Sequence, residues 1–442
     1  MKIEYIYIDG YKNLKKFEVQ FNKGCSFIAL IGNNGSGKSN ILEALTIIFS
    51  SIQSEMPIEF IFQIKYQIDD NSFDITNRQG ALNISRNKKL LTKKEKIFAM
   101  PGTIFLYYSG ETIRMKNLVS SHIDKTYDNS IKKGENTKFK FLTYTSTDDF
   151  GAALLSCKIF NEKILKFLFD IVQVEAIHFP IKFIFKKPYW SNRKQPDDFW
   201  GAKGTVRIEI NKLISISEHV VPTNSGDQME ILISNTDSFQ EKWFASLDLL
   251  ISLKMLMDAD ILEKIEFDVQ KIGSKHAFSY TALSEGEKQL GLLISLLSLT
   301  NDYKTLFLLD EFDSYLHPSW QREFANMLRK IQIKGQLIFT THSPFTLSKM
   351  KKEEIIILKN AEAFIPSVDS HNRDVVEVLE ELMEVGRRST EISSLISEFN
   401  HAAIHADNTK AQEYYKKLTA LLSKDDPFFI KAHHLMPELE LE

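Results

Sequence analysis

The chain opens on alternation. Ile3, Tyr5 and Tyr7 are spaced by Lys2, Glu4 and Ile6, a period of two that predicts a strand over 2–8. Residues 17–21 read as its hairpin partner across a turn at Gly10–Lys15. The pattern then becomes a near-continuous apolar run, Ser26–Ile31, as a strand buried on both faces requires. That run ends in a glycine-rich turn, and Asn40–Phe49 follows with apolar residues at helical spacing. Residues 58–68 and 73–85 alternate again, Thr103–Tyr108 reads as a short buried strand, and the polar stretch 120–140 reads as a loop. Leu154, Leu155, Ile159, Ile164, Leu168 and Ile171 give 149–173 a helical period. A turn-rich loop with Trp190 and Trp200 covers 186–204. Strands are expected over 205–216, 228–233 and 264–272, with a long amphipathic helix over 238–258. Residues 283–347 read as turn, helix, strand, turn, helix, strand, and the charged tail 372–436 reads as helical.

Composition narrows the class. A chain of 442 residues, 43% hydrophobic and 26% charged, suits a soluble globular protein of one large domain or two. The net charge of -3 carries no basic bias, so any contact with DNA must be local or come through a partner. Two distant cysteines, Cys25 and Cys157, offer neither a disulfide framework nor a zinc site and point to a cytoplasmic protein. The most apolar helix, Leu290–Leu299, is interrupted by Ser295 and Ser298 and falls short of the roughly 18 residues that span a membrane. No membrane partner is expected, and the N-terminus lacks the regions of a signal peptide.

The chemistry concentrates in short motifs. Gly32-Asn33-Asn34-Gly35-Ser36-Gly37-Lys38-Ser39 fits the phosphate-loop pattern at every fixed position, between an apolar strand and a helix. Its glycines let backbone N–H groups turn inward on phosphate oxygens, and the helix dipole favours the anion. Lys38 reaches the β- and γ-phosphates of ATP, and Ser39 offers a ligand to Mg2+. The apolar strand Thr305–Leu309 ends in Asp310 and Glu311. Asp310 would hold the magnesium, and Glu311 would polarise the attacking water. Leu283-Ser284-Glu285-Gly286-Glu287-Lys288-Gln289 precedes a helix, where Ser284 and Gly286 could meet a γ-phosphate. The same residues also read as a capping box, Ser284 with Glu287, and both readings can hold together. Phe339–Pro344 ends another apolar strand and places His342 at its tip.

The order of these motifs (phosphate loop, signature, acid pair, Asp313–Pro318, histidine) resembles that of ABC-type ATPases over about 1–115 and 265–360. Within that superfamily the chain is similar to the SMC, RecF and OLD branch. Tyr11-Lys12-Asn13-Leu14 resembles the early Lys/Arg-Asn element of this branch, which implies that Lys12 lies near the nucleotide. The resemblance implies an α/β fold: an ABC-type P-loop ATPase head with a mixed sheet, a compact inserted subdomain and a helical C-terminal tail. The expected parts are an N-terminal lobe (1–115), a mainly helical insertion with strands (116–260), a C-terminal lobe (261–365) and the tail (366–442). It also implies ATP turnover with Glu311 and His342 as catalytic residues. It further implies a head-to-tail dimer, in which Ser284 and Gly286 of one copy close the nucleotide pocket of another; assembly beyond the dimer stays open.

Asp374–Met383, Arg388, Ala411–Leu422 and Asp425-Asp426-Pro427 resemble the C-terminal helices of Septu-type and retron-associated antiphage defence ATPases. This implies a sensor or regulatory subunit that controls a separate nuclease of HNH or TOPRIM type. His433-His434 are too isolated for an HNH site, and the acids form no TOPRIM cluster, so a nuclease activity of its own is not expected. The alternative is a RecF- or Rad50-like repair ATPase that binds DNA directly. The chain departs from the pattern in three ways. The glutamine loop is not obvious, with Tyr108–Glu111 as its best placement; the interval from Ser39 to Leu283 is long; and no sustained heptads fill it. The basic turn Arg86–Lys96 reads as a solvated hairpin tip or a phosphate-backbone contact, and Trp190 and Trp200 read as core or as stacking platforms.

Overall fold

In the computed structural model, the apolar runs assemble into one seven-stranded sheet. Its strand order is Glu362–Phe364, Ile355–Lys359, Phe27–Gly32, Gln336–Thr340, Thr305–Asp310, Thr103–Tyr108 and Phe141–Thr145. Neighbours pair in parallel except at the first edge, where Ile355–Lys359 and Glu362–Phe364 run antiparallel. The phosphate-loop strand, the histidine strand and the acid-pair strand are therefore side by side, and their carboxyl ends open on the same edge. Ligands of open α/β sheets bind at such an edge. The structure describes residues 1–442 apart from 55–56, 79, 111–113, 120–140, 194–195, 197, 224–226, 300–303, 361, 368, 371–376, 379–389, 406, 424–425 and 437–442. The expected loop over 120–140, Glu111, Arg388, Asp425 and most of the stretch Asp374–Met383 lie outside the described residues.

The alternating N-terminal segments form a separate antiparallel sheet, ordered Phe17–Gln20, Lys2–Asp9, Ile61–Ile68, Asn71–Arg78, Ala81–Arg86 and Lys89–Leu90. The helix Lys38–Ser54 shares one core with both sheets. Ile41, Leu45, Ile48 and Phe49 join Ile3, Ile6 and Ile8 of the antiparallel sheet and Leu30, Leu308 and Ile338 of the parallel one, all fully buried. The segment expected as a single strand over 73–85 is two, with Gly80 at φ +80° between them.

Beyond Phe141–Thr145, the helices Phe150–Phe160 and Glu162–Val172 pack on the buried side of Glu285–Leu299. Asn161 separates them; its side chain accepts from the Ile164 N–H and caps the second. A five-stranded antiparallel sheet built on Val174–Lys186 and Leu262–Lys271 completes this region.

Two expectations fail here. Residues 205–216 form the helix Gly204–Ser215, not a strand. Val206, Ile208 and Ile210 alternate, but the positions that bury are Val206, Ile210 and Leu213, a helical set that leaves Ile208 exposed. The long helix over 238–258 is two pieces, Asp237–Gln240 and Ser246–Asp258. The chain breaks to seat Trp243, whose indole N–H donates to Glu209 at 3.1 Å and Ser252 at 2.9 Å. Trp200 is buried and takes the core reading, while Trp190 is half-buried and donates to the Ala259 carbonyl at 2.8 Å.

The chain divides into two compact units, Met1–Asn372 and Arg373–Glu442. The second consists of the helices Thr390–Ile404, Asn408–Leu421 and Pro427–Leu435 around Phe399, Leu418, Phe428 and Phe429. Asp407 and Asp426 cap two of them. The whole is the α/β head with a mixed sheet, an inserted region and a helical tail that the sequence led one to expect. Among the described residues, no helix is long and apolar enough to cross a membrane.

Candidate nucleotide site

The phosphate loop leaves its strand at Gly32, where φ is +145°. A Cβ there would lie 2.3 Å from the Leu358 carbonyl oxygen of the adjoining strand, so glycine is required by space as well as by conformation. At the other end, Gly37 has φ +105° and packs against Leu14 and Asn13. Asn13 braces the loop: its amide donates to the Gly35 carbonyl at 2.7 Å and accepts from Asn40 at 2.6 Å. Asn33, Asn34 and Gly35 are exposed along the loop's outer side, while the Ser36 hydroxyl is buried without a hydrogen-bond partner.

Lys38 begins the following helix and is buried. Its ammonium arcs back to donate to the loop's own carbonyls, Gly32 at 2.8 Å and Asn33 at 3.2 Å. Burial holds its pKa below the usual lysine value, and the charges of Asp310 and Glu311 oppose that shift. These carbonyl bonds are ones that phosphate oxygens can replace.

The acid pair sits beside it. Asp310 is fully buried. Its Oδ1 accepts from Ser39 Oγ at 3.0 Å and from Thr340 Oγ1 at 2.6 Å, while Oδ2 has no hydrogen-bond partner. Burial pushes the Asp310 pKa up, against the pull of the Thr340 and Ser39 donors. Ser39 and Asp310, 271 positions apart in sequence, are thus brought into contact. A hydroxyl and a carboxylate with an uncommitted oxygen are the hard donors that a divalent cation such as Mg2+ takes, so the residues present fit that ion.

Glu311 has φ +50°, an uncommon conformation for a residue with a side chain. Its N–H donates to Thr340 Oγ1 at 2.8 Å, and its carbonyl accepts from the hydroxyls of Ser109 and Ser314. All these bonds hold its backbone, which turns the residue out of the strand. Ser109 stands in the segment expected as the glutamine loop, and it touches Glu311 through that carbonyl. His342 follows the neighbouring strand. Its pKa is lowered first by partial burial, then by the charge of Lys38, with Asp310 opposing. It therefore sits within electrostatic reach of the loop and the acid pair.

Ser284 and Gly286 are placed differently. Ser284 exchanges hydrogen bonds with Glu287, its N–H and Oγ each donating to Oε2 at 2.8 Å and its Oγ accepting from the Glu287 N–H at 3.3 Å. This is the capping box. Glu287 also pairs with Lys271 at 2.6 Å. A Cβ on Gly286 would lie 2.7 Å from the Tyr315 carbonyl, so this glycine lets the Asp313–Pro318 turn approach the signature helix. Gln289, one turn on, donates to the Phe312 carbonyl. Asp313 accepts from Thr341 and Thr346 on either side of His342, and Gln321 bonds Asp313, Leu316 and Ser343. Signature, acid pair, turn and histidine are mechanically joined.

Lys12 lies with its ammonium on Glu43, a carboxylate buried in the phosphate-loop helix. Glu43 also accepts from Tyr11 OH at 2.8 Å and pairs with Arg114 at 2.5 Å. Gln321, Glu43 and Arg114 were not anticipated. Thr340 and Asp313 lie within the motifs Phe339–Pro344 and Asp313–Pro318, without a contact assigned to either; Arg114 carries no sequence signal.

Against this geometry, a protein family described as "AAA domain, putative AbiEii toxin, Type IV TA system" matches residues 27–86 and 162–348, more than half of the chain. The chain belongs to this family. The matched stretches include the phosphate loop, the signature, the acid pair and His342. The chain is also similar to the Septu protein PtuA of Bacillus thuringiensis, 23% identical over 440 residues, covering 96% of this chain and 95% of that protein. It is 31% identical over 194 residues to the Retron Ec83 probable ATPase of Escherichia coli, covering 41% of this chain and 35% of that one. The Retron Vc95 probable ATPase of Vibrio cholerae is 24% identical over 400 residues, with 81% and 73% covered. Among solved structures, the SMC head domain from Thermotoga maritima aligns with a TM-score of 0.37 at 15% identity, over 83% of this chain and 99% of that one.

Proposed function

We propose that this protein binds and hydrolyses ATP, and that it serves as a regulatory subunit of an antiphage defence complex. The observation that carries the enzymatic reading is the meeting of Lys38, Ser39, Asp310 and Glu311 at the carboxyl ends of two parallel strands that flank the histidine strand. The defence reading rests on the similarity along nearly the whole chain to a Septu protein.

In this reading Lys38 gives up its bonds to the Gly32 and Asn33 carbonyls and donates to the β- and γ-phosphates. Backbone N–H groups from Gly32 to Ser39, with the Asn33 and Asn34 side chains at the rim, enclose the rest of the triphosphate. Ser39 and Asp310 hold Mg2+, which when bound neutralises phosphate charge. Glu311, aimed out of its strand by its left-handed backbone, accepts the proton of the attacking water. His342 donates to the γ-phosphate. Ser284 and Gly286 of a second copy complete the pocket, so ATP binding assembles a head-to-tail dimer, and the dimer state governs a partner nuclease in the cytoplasm.

The test has two parts. ATP turnover and light scattering of the Glu311→Gln variant with ATP should show loss of hydrolysis and accumulation of dimers. Co-purification with the product of the adjacent gene should yield a complex containing a nuclease; if none forms and no nuclease gene lies adjacent, the regulatory role is refuted. One observation favours a second reading, a repair ATPase that binds DNA directly. Arg86 and Lys89 face each other across a two-residue turn, Asn87-Lys88, with further lysines at 93, 94 and 96. Salt-dependent binding of duplex DNA by the isolated protein, modulated by ATP, would support it.

A further inference from the structure

We infer that Arg114 is a further phosphate-contacting residue of the nucleotide site, held ready by Glu43. The inference rests on the ATP reading above. Glu43 lies five positions after Lys38 on the same helix, with its carboxylate 1% exposed. Three groups from two other parts of the chain reach it: the Tyr11 hydroxyl and Lys12 ammonium donate to Oε2, and the Arg114 guanidinium forms an ion pair with Oε1. One buried carboxylate needs one cation. Here it has two, so the cluster carries a net positive charge directly behind the phosphate loop.

The position of Arg114 follows from its anchors. Met115 and Val119, four apart, are fully buried in the shared core, which turns Arg114 to the other side of that helical turn. The segment leaves the parallel sheet at Tyr108, beside Asp310 in register, and Ser109 is bonded to the Glu311 carbonyl. Arg114 touches the phosphate-loop helix at Glu43. Its charge reaches Asp310 of the acid pair. Its side chain is 46% exposed, so the guanidinium is accessible while its Nε is tethered. A planar fork of donors fixed at one nitrogen and open at the others suits a phosphate.

The competing role is that of a plain counter-ion for Glu43, and a double variant separates the two. Binding of Mg-ATP to the full chain is measured by titration calorimetry for the wild type, Lys38→Ala, Arg114→Met, Arg114→Lys and the pair Glu43→Gln/Arg114→Met, with thermal melting of each. Arg114→Met should weaken Mg-ATP binding about tenfold or more, the worth of a charge-assisted hydrogen bond. The double variant should stay equally weak, because removing Glu43 does not restore a phosphate contact. Arg114→Lys, which keeps the counter-ion and so covers the case in which melting shows Arg114→Met to be unfolded, should still bind more weakly than the wild type. Wild-type affinity in Arg114→Met or Arg114→Lys, or its return in the double variant, would overturn the inference while leaving the ATP site intact. A wild type that binds no Mg-ATP, indistinguishable from Lys38→Ala, would overturn the ATP reading and this inference with it.

Discussion

Asp310→Asn should make the nucleotide-free protein more stable while abolishing Mg-ATP turnover. Asp310 is a fully buried carboxylate with one oxygen satisfied twice and the other not at all. Burial raises its pKa, so the native fold favours the protonated form. The sign follows by linkage. An acid whose native pKa lies above its unfolded one destabilises the fold where it is ionised, and that cost vanishes as pH falls below the unfolded value. Asparagine keeps an oxygen for the Ser39 and Thr340 donors and removes the charge. Its amide remains unpaired, and Lys38 loses one of two attractive acids, so only part of the penalty is recovered. The expected gain is about 1–2 kcal/mol at neutral pH, the cost of a buried unsatisfied polar group less these offsets. Urea unfolding without nucleotide, from mildly acidic to mildly alkaline pH, measures it. The advantage should be largest at the alkaline end and shrink towards acid, where wild-type Asp310 takes up its proton. With Mg-ATP present the order should reverse, because only the wild type gains binding energy. A less stable variant at neutral pH, or an advantage unchanged by pH, would refute the reasoning that this carboxylate is kept at a cost to stability for metal binding.

Other outcomes follow from the same geometry. Glu311→Gln should bind Mg-ATP with near wild-type affinity and lose turnover by about 100-fold or more, whereas Lys38→Ala should lose both; steady-state kinetics beside calorimetry distinguishes them. Gly286→Ala forces a Cβ to within 2.7 Å of the Tyr315 carbonyl. It should cost about 1–3 kcal/mol in urea unfolding and lower ATP turnover by displacing the turn from the signature helix. Lys254→Met removes the ammonium that Asp149 (3.3 Å) and Asp258 (2.6 Å) share in a buried cluster. Burial already lifts the Asp149 pKa to about 6 with the lysine in place. The variant should lose about 3–5 kcal/mol at neutral pH, and lose less as pH falls and the two acids protonate.

How far the sequence reaches differs from part to part. The nucleotide site is mostly local in cause. Gly32–Ser39, Thr305–Glu311 and Phe339–His342 each combine a strand buried on both faces with a terminal loop, and unbroken apolar runs announce such strands directly. The capping box of Ser284 and Glu287 was equally readable, since its bonds close within one helical turn. What misled was period without environment. Val206, Ile208 and Ile210 alternate as a strand would, and only the surface against which they pack selects the helix. Trp243 breaks an otherwise plausible helix because its indole reaches Glu209 on another helix, a partner the local pattern does not record.

By itself, then, the sequence determined which residues could handle a phosphate and in what order along the chain they occur, because loop conformation, helix start and strand burial are properties of neighbouring residues. Tertiary structure alone decided how those residues meet. Asp310 finds Ser39 and Thr340 through the strand order of one sheet, and Glu43 gathers Tyr11, Lys12 and Arg114 from two distant segments. Buried charges are satisfied by whatever the fold brings within a few ångströms, and no pattern of neighbours along the chain records which residues those will be.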